Sequence, residues 1–338
     1  MTQQFGGVIC AAVTPMHGLT IDHEAFAMHL HTLAMEGCSG VLVTGTTGEG
    51  PSIGLSERPQ LVKTAVSAAN GLKVLAGTGC SSLTDTITAT RDAFDNGADA
   101  VVIVPPYYFR RASVDGLFNY YVAVIEQSVP ADRSAMLYHI PPISGVPITV
   151  PLAQRLFDRF GDRISGVKDS GGDMAYTSAL LETVPGLPVF VGSERVLLEG
   201  LMLGAAGCIT AGANSAGAAC VRVYDAWRSG HESAGDLQSK VTELRAVMES
   251  YPPGAAAYKA LLRLRYGGVS WDVRPPLENH GPEVLDEMVE RITALDLDLC
   301  RGLQGNAVAK QEAYRIREAA RPTGFVVLTL LVAHEHQP

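Results

Sequence analysis

Little in the sequence suits a nucleic acid, a membrane span or a disulfide framework. Lys and Arg number 26 against 35 Asp and Glu, a formal net charge of −9, and the basic residues form no stripe. That balance argues against a polyanionic partner, whose binding rests on clustered cations. The longest apolar run, residues 325–333, falls far short of the roughly 20 residues that cross a bilayer as a helix. The six cysteines, Cys10, Cys38, Cys80, Cys208, Cys220 and Cys300, are scattered and form no C-x-x-C pair. Neither a zinc site nor a set of disulfides follows, and they read as small buried hydrophobes in a reducing compartment. The N-terminus, Met1-Thr2-Gln3-Gln4, lacks a basic n-region and a long apolar h-region. The expectation is a cytoplasmic protein without a signal peptide. No G-x-G-x-x-G follows the first apolar segment, which removes the usual dinucleotide-binding signature.

What is present is alternation. Eight short apolar runs cover residues 8–14, 40–45, 74–78, 100–104, 135–140, 165–168, 189–192 and 207–211. Each is continuous rather than alternating, as parallel strands covered on both faces require. Between and after them lie helical patterns at 23–36, 58–70, 83–96, 115–127, 152–160, 174–184, 196–205 and 216–228. In the first, Phe26, Leu30, Leu33 and Ala34 make one apolar stripe. Cap-type residues precede several of these helices, at Asp22, Ser56, Ser82, Ser113, Thr149, Asp173 and Ser215, and Gly37, Gly71, Gly97 and Gly230 follow others. Eight βα units within 1–230 predict an α/β fold, a closed (β/α)8 TIM barrel, in preference to an open doubly wound sheet. The strand pattern then stops. Residues 237–250, 255–266 and 283–300 read as helices, so 231–300 is expected to be a C-terminal helical appendage and 301–338 a separate tail.

A barrel of this kind carries its chemistry at the C-terminal ends of its strands. Three polar clusters fall there. Gly45-Thr46-Thr47-Gly48-Glu49 follows the second strand. Its hydroxyls and backbone N–H groups suit a carboxylate, although a plain glycine-rich turn would look the same. Tyr138 ends the fifth strand among apolar neighbours; it is either a proton relay or a satisfied core tyrosine. His139 beside it should face the opposite way and be structural. Lys168 ends the sixth strand, and Gly166, two residues earlier, should leave room beside its amine. Lysine is seldom buried without cause. Taken out of water, an amine favours its neutral form, which can attack a ketone to form an imine. A structural ion pair is the competing explanation of Lys168. Together the clusters suit a 2-oxo acid bound covalently at C2, with no metal and no cofactor.

At these residues the sequence resembles the dihydrodipicolinate synthase/N-acetylneuraminate lyase family of class I, Schiff-base-forming pyruvate aldolases. The first signature is Gly40-Val-Leu-Val-Thr-Gly-Thr-Thr-Gly-Glu-Gly50 followed by Glu57; the second is Tyr138-His-Ile-Pro141 with Lys168-Asp-Ser170 thirty residues later. The resemblance spans about residues 7–300, including Arg274-Pro-Pro-Leu277. It implies that Lys168 forms the Schiff base, Tyr138 shuttles protons, Thr46 links that tyrosine to a second one, Thr47 binds the carboxylate and Gly48 beside it contacts the substrate. It implies that Tyr108 is lent by a neighbouring subunit, hence a homo-oligomer, dimer or tetramer. It places Gly192 and Ile209 on the pocket wall. Where the synthases use an arginine for the aldehyde's carboxylate, this chain has Ile143, which cannot make a bidentate clamp. Gly192-Ser193-Glu194-Arg195 likewise departs from the acidic pattern of the sialate lyases. The expected reaction is therefore cleavage of a 2-keto-3-deoxy sugar acid or a 4-hydroxy-2-oxoglutarate type substrate. Synthase activity, dehydration of a 2-oxo acid, and a non-catalytic 2-oxo acid sensor are the alternatives. Arg195 is a candidate for a distal carboxylate, with a surface arginine at a helix start as the plainer reading.

Overall fold

A computed structural model describes residues 5–267 and 269–295. Its centre is a closed barrel of eight parallel strands. They are β1 Gly7–Ala11, β2 Gly40–Val43, β3 Lys73–Gly77, β4 Ala100–Ile103, β5 Ser134–His139, β6 Ile164–Asp169, β7 Val189–Val191 and β8 Gly207–Thr210. All eight expected strands form, each ending one to three residues earlier or later than its apolar run. The surrounding helices are α1 His23–Met35, α2 Arg58–Ala68, α3 Leu83–Asp95, α4 Val114–Ser128, α5 Val150–Phe160, α6 Met174–Thr183, α7 Leu197–Leu203 and α8 Ala213–Arg228. A hairpin of Met16–His17 with Thr20–Ile21 and a single-turn helix, Pro141–Ser144, carried no sequence signal strong enough to expect.

Strand alternation splits the core in two. Val8, Val41, Val74, Val101, Leu137 and Val167 point outward onto the helices. Ile9, Leu42, Leu75, Ala100, Val102, Met136, Phe190 and Ile209 fill the barrel interior, with Tyr138 above them. This filling makes the barrel a packed core with its site at one end, not a pore. The pairing of β5 with β6 places Tyr138 directly opposite Lys168, after a register shift at Ala135/Met136. Gly166 lies beside that shift. A Cβ there would come within 2.6 Å of the Pro188 carbonyl oxygen, and its φ is +149°. Close backbone approach, not room beside the amine, therefore explains the glycine.

Five of the seven expected caps form: Asp22, Ser82, Ser113, Thr149 and Asp173 each accept a first-turn N–H. Two do not. Helix α2 starts after Glu57, whose carboxylate accepts from Gly54 N and from Arg274 instead, so Ser56 is not the cap. Helix α8 starts after Gly212, so Ser215 lies inside it, ahead of a break at Ala216. The early turn is held by Asn214, whose amide donates to the carbonyls of Ala11 and Ala211 and accepts from Val13 N.

Past residue 230 the chain forms α9 Ala234–Glu249, α10 Gly254–Tyr266 and α11 Pro282–Ala294. Val241, Leu244, Tyr258, Leu261, Trp271 and Met288 join the same hydrophobic cluster as the barrel's outer strand faces. The helical region thus extends the barrel's core. The expected helix beyond 295, Cys300 and the tail 301–338 lie outside the described residues. Among the described residues no helix is long and apolar enough to cross a membrane.

One buried junction between barrel and appendage is sensitive to acid. His29 is fully enclosed; its Nε2 faces Asn214 Oδ1 at 3.0 Å and its Nδ1 faces Tyr266 Oη at 2.9 Å. Asn214 Oδ1 can only accept, so Nε2 carries the hydrogen and Nδ1 accepts from the tyrosine. Burial, helped by Arg265, pushes the imidazole down to about 4. A histidine lowered on folding contributes stability above its unfolded value near 6.5, and that contribution is lost as pH falls toward 4. At pH 4 the loss is about 3 kcal/mol. Denaturant titrations should show the stability advantage of wild type over His29→Gln shrinking by that order between pH 7.5 and 4. An advantage that does not change with pH would contradict the assignment.

Candidate active site

The loop after β2 is folded back tightly. Glu49 N donates to Thr46 O at 3.1 Å and Gly50 N to Gly45 O at 2.9 Å. Thr44 and Glu49 both have positive φ, 54° and 57°. For residues with a Cβ this conformation needs support from their surroundings. Thr44 supplies some, its hydroxyl donating to Gly77 O at 2.8 Å. Glu49 supplies more, its carboxylate accepting from Lys259 Nζ in α10 and from Arg274 N at 2.9 Å. The helical appendage thus holds the loop from behind while Thr46 and Thr47 face the cavity. Gly48 does not line that cavity. Its carbonyl accepts from Thr14 Oγ1 at 2.8 Å, and a Cβ would come within 2.7 Å of Ala12 O. Close backbone approach at the end of β1 thus accounts for the glycine at this position.

Lys168 is 3% exposed, and its Nζ lies 4.2 Å from the centre of the Tyr138 ring. Tyr138 Oη meets Thr46 Oγ1 at 3.3 Å. Burial pushes the phenol up, but the positive charge of Lys168 and the hydroxyls of Thr46 and Ser170 outweigh it, so the phenol sits below its ordinary value. A cation set over a buried phenol favours the phenolate, the form that can take a proton. His139 faces the other way, as expected: its ring stacks on Tyr176 at 4.0 Å, and its Nδ1 meets the backbone of Ile148.

These groups open on a cavity of about 920 Å³, lined also by Ile143, Gly192, Ile209 and Arg195. Ile143 is 61% exposed at its rim. Gly192 lies against Ser170, whose hydroxyl a Cβ would strike. A smaller cavity of about 170 Å³ also borders Thr46, Tyr138 and Ile143 and is lined by Tyr107. Tyr108 lines neither; it stands 76% exposed with its edge against Phe109. Within one chain, then, Thr46, Thr47, Tyr138, Lys168, Ile143, Gly192 and Ile209 come together, and Tyr108 and Gly48 do not join them.

Three features went unread in the sequence. The Glu49–Lys259 pair joins positions 210 residues apart; the available signal was a lysine inside the otherwise apolar run Ala255–Leu262 of α10. Ser170 was quoted as part of a signature without a role of its own. Arg245 and Glu249, on α9, meet Glu194 and Arg195 on the far wall, and nothing in helical periodicity marks which charged residues of a helix face a cavity. Among the described residues no group of three or more His, Cys, Asp or Glu is placed to hold a metal ion.

A parallel eight-stranded barrel with a buried lysine, a phenol and a hydroxyl loop at its C-terminal mouth is the arrangement of a class I aldolase. The comparisons with known proteins name the family. The model of the dihydrodipicolinate synthetase family matches residues 4–295, and the chain belongs to that family. An uncharacterized DapA-like lyase of Chloroflexus aurantiacus is 38% identical over 249 residues, 73% of this chain and 82% of the relative. A 4-hydroxy-tetrahydrodipicolinate synthase of Rhizobium meliloti is 33% identical, covering 84% of this chain and 96% of the relative. Among solved structures, YagE of E. coli K12, a prophage protein of the same family crystallised with pyruvate, superposes with a TM-score of 0.82 at 27% identity, covering 87% of this chain and 99% of that one. The protein is accordingly an enzyme, a pyruvate aldolase or lyase of the class I type.

Proposed function

We propose that the enzyme cleaves a 4-hydroxy-2-oxo acid by a retro-aldol reaction, with Lys168 as the covalent nucleophile. The observation that carries this reading is the Lys168 amine, withdrawn from solvent and set against a phenol that is itself bonded to Thr46. The amine adds to C2 of the substrate, and the carbinolamine hydroxyl takes the Tyr138 proton and leaves as water, giving a protonated imine and a phenolate. The Thr46–Thr47 loop receives the C1 carboxylate. Tyr138, as phenolate, takes the C4 hydroxyl proton; the C3–C4 bond breaks and its electron pair enters the imine, giving an enamine and a free aldehyde. Protonation at C3 and hydrolysis return pyruvate and the lysine.

The exposed Tyr108 fits a role in a second subunit's site, which makes a homo-oligomer part of the proposal. Ile143 at the cavity rim argues against synthase activity, because it offers nothing to an aldehyde carboxylate. Candidate substrates are 2-keto-3-deoxy sugar acids and 4-hydroxy-2-oxoglutarate. Incubation with pyruvate and borohydride should add one reduced adduct, mapped by peptide mass to Lys168; an adduct elsewhere, or none, refutes the assignment. Tyr138→Phe, which keeps the ring and removes the proton carrier, should lower kcat by about 10²–10⁴-fold. A coupled assay with pyruvate and aspartate semialdehyde should show no condensation above background.

A further inference from the structure

The far wall of the cavity holds a carboxylate clamp, and the chain's own Glu249 occupies it. Arg195 Nη2 meets Glu249 Oε2 at 3.0 Å, while Arg245 Nε donates to Glu249 Oε1 at 2.8 Å. One guanidinium thus takes each oxygen, so that two charge-assisted contacts hold the carboxylate. Both arginines and Glu249 line the cavity that Lys168 opens on.

The clamp's frame is held by further hydrogen bonds, and its occupant is exposed. Glu194, buried beside it, accepts from Thr210 Oγ1 and from Arg245 Nη1, fixing Arg245 in place. Gln238 Nε2 donates to the carbonyls of Glu194 and Arg195 at 2.9 Å each, which pins the backbone that carries Arg195. Glu249, by contrast, is the last residue of α9, and its side chain and that of Arg195 are 41% and 42% exposed. An ion pair so exposed holds its partners weakly. The other acids on the cavity wall are committed elsewhere: Glu49 to Lys259, Asp169 to Gly171 N and Thr177 Oγ1, and Asp173 to the first turn of α6.

We infer that Arg195 is the specificity-determining residue for a second carboxylate at the far end of the substrate, which displaces Glu249 from the Arg195–Arg245 clamp. The substrate class is then a dianionic 4-hydroxy-2-oxo acid, and a neutral polyol tail is disfavoured. This inference rests on the Lys168 mechanism proposed above and narrows its substrate.

Borohydride trapping tests it with compounds that form the imine but cannot be cleaved. Two pairs are compared, 2-oxoglutarate with 2-oxopentanoate and 2-oxoadipate with 2-oxohexanoate, by the concentration that gives half-maximal adduct. In wild type at least one dianion should trap at a concentration ~10–100-fold lower than its monoanionic partner, the factor expected of a charge-assisted hydrogen bond. Within Arg195→Gln that ratio should fall to about one, and within Glu249→Gln it should rise. Reading the ratio inside each variant cancels any general loss of folding or lysine reactivity. A wild-type ratio near one at both lengths overturns the inference, as does an undiminished ratio in Arg195→Gln or a fallen one in Glu249→Gln. Pyruvate alone separates the two levels: if wild type traps pyruvate but shows no preference for a dianion, only the clamp fails, whereas absence of any pyruvate adduct removes the Lys168 mechanism itself.

Discussion

Lys168→Ala is expected to abolish both the borohydride adduct and turnover, with kcat/KM falling by at least about four orders of magnitude, read as pyruvate released per unit time. The reason is the loss of the covalent path, which no neighbour can replace: the cavity's other cations are guanidiniums, which do not form imines at neutral pH. Lys168→Met, nearer in shape, should fail as completely, because the loss is chemical rather than a matter of packing. A second consequence separates the mechanism from a structural role. The charge of Lys168 is the largest influence holding the Tyr138 phenol down against burial. Without it, desolvation acts unopposed by that cation, and the phenol should titrate at higher pH. Site-specific labelling of Tyr138 would show the shift. Turnover retained in Lys168→Ala would contradict the mechanism outright.

The second large effect concerns stability and reaches the active site indirectly. The Lys259 and Glu49 side chains are 0% and 1% exposed. Lys259→Met leaves the Glu49 carboxylate buried beside Arg274 N with its cation gone, and breaking such a pair costs about 3–5 kcal/mol. Burial already works against the charge of Lys259; Glu49 raises it, without fully compensating. The double variant Glu49→Gln, Lys259→Met should recover most of the loss, because it removes both charges together. Denaturant midpoints of the two variants and wild type decide this. Because Glu49 also anchors the loop that carries Thr46 and Thr47, both variants should raise the KM for the 2-oxo acid more than they lower kcat. Equal stability of the single and double variants would mean that the pair is not coupled.

Much of the barrel was legible along the chain. Continuous apolar runs identified all eight strands because parallel strands are buried on both faces, and Gly37, Gly71, Gly97 and Gly230 marked helix ends because each adopts positive φ there. Ser56 and Ser215 misled because a cap depends on where the preceding loop is pulled. Glu57 is drawn to Arg274, 217 residues away, and Asn214 is drawn into the barrel's outer layer. Gly48 illustrates a related point: a glycine in a loop can serve a ligand or the neighbouring backbone, and the approach of Ala12 O is visible only in the fold.

The chemical groups that the proposed reaction uses, Lys168, Tyr138 and the two threonines, are written in the sequence, because their residue types and strand-end positions follow from covalent order and from alternation along a strand. Folding alone decided how they meet. The register shift between β5 and β6 set the lysine opposite the tyrosine, a helix from the far end of the chain brought Lys259 beneath the hydroxyl loop, and α9 supplied Arg245 and Glu249 to the distal wall. Each of these depends on contacts between segments far apart in the chain, and periodicity, which reports only how one segment meets its own surroundings, carries no record of the partner.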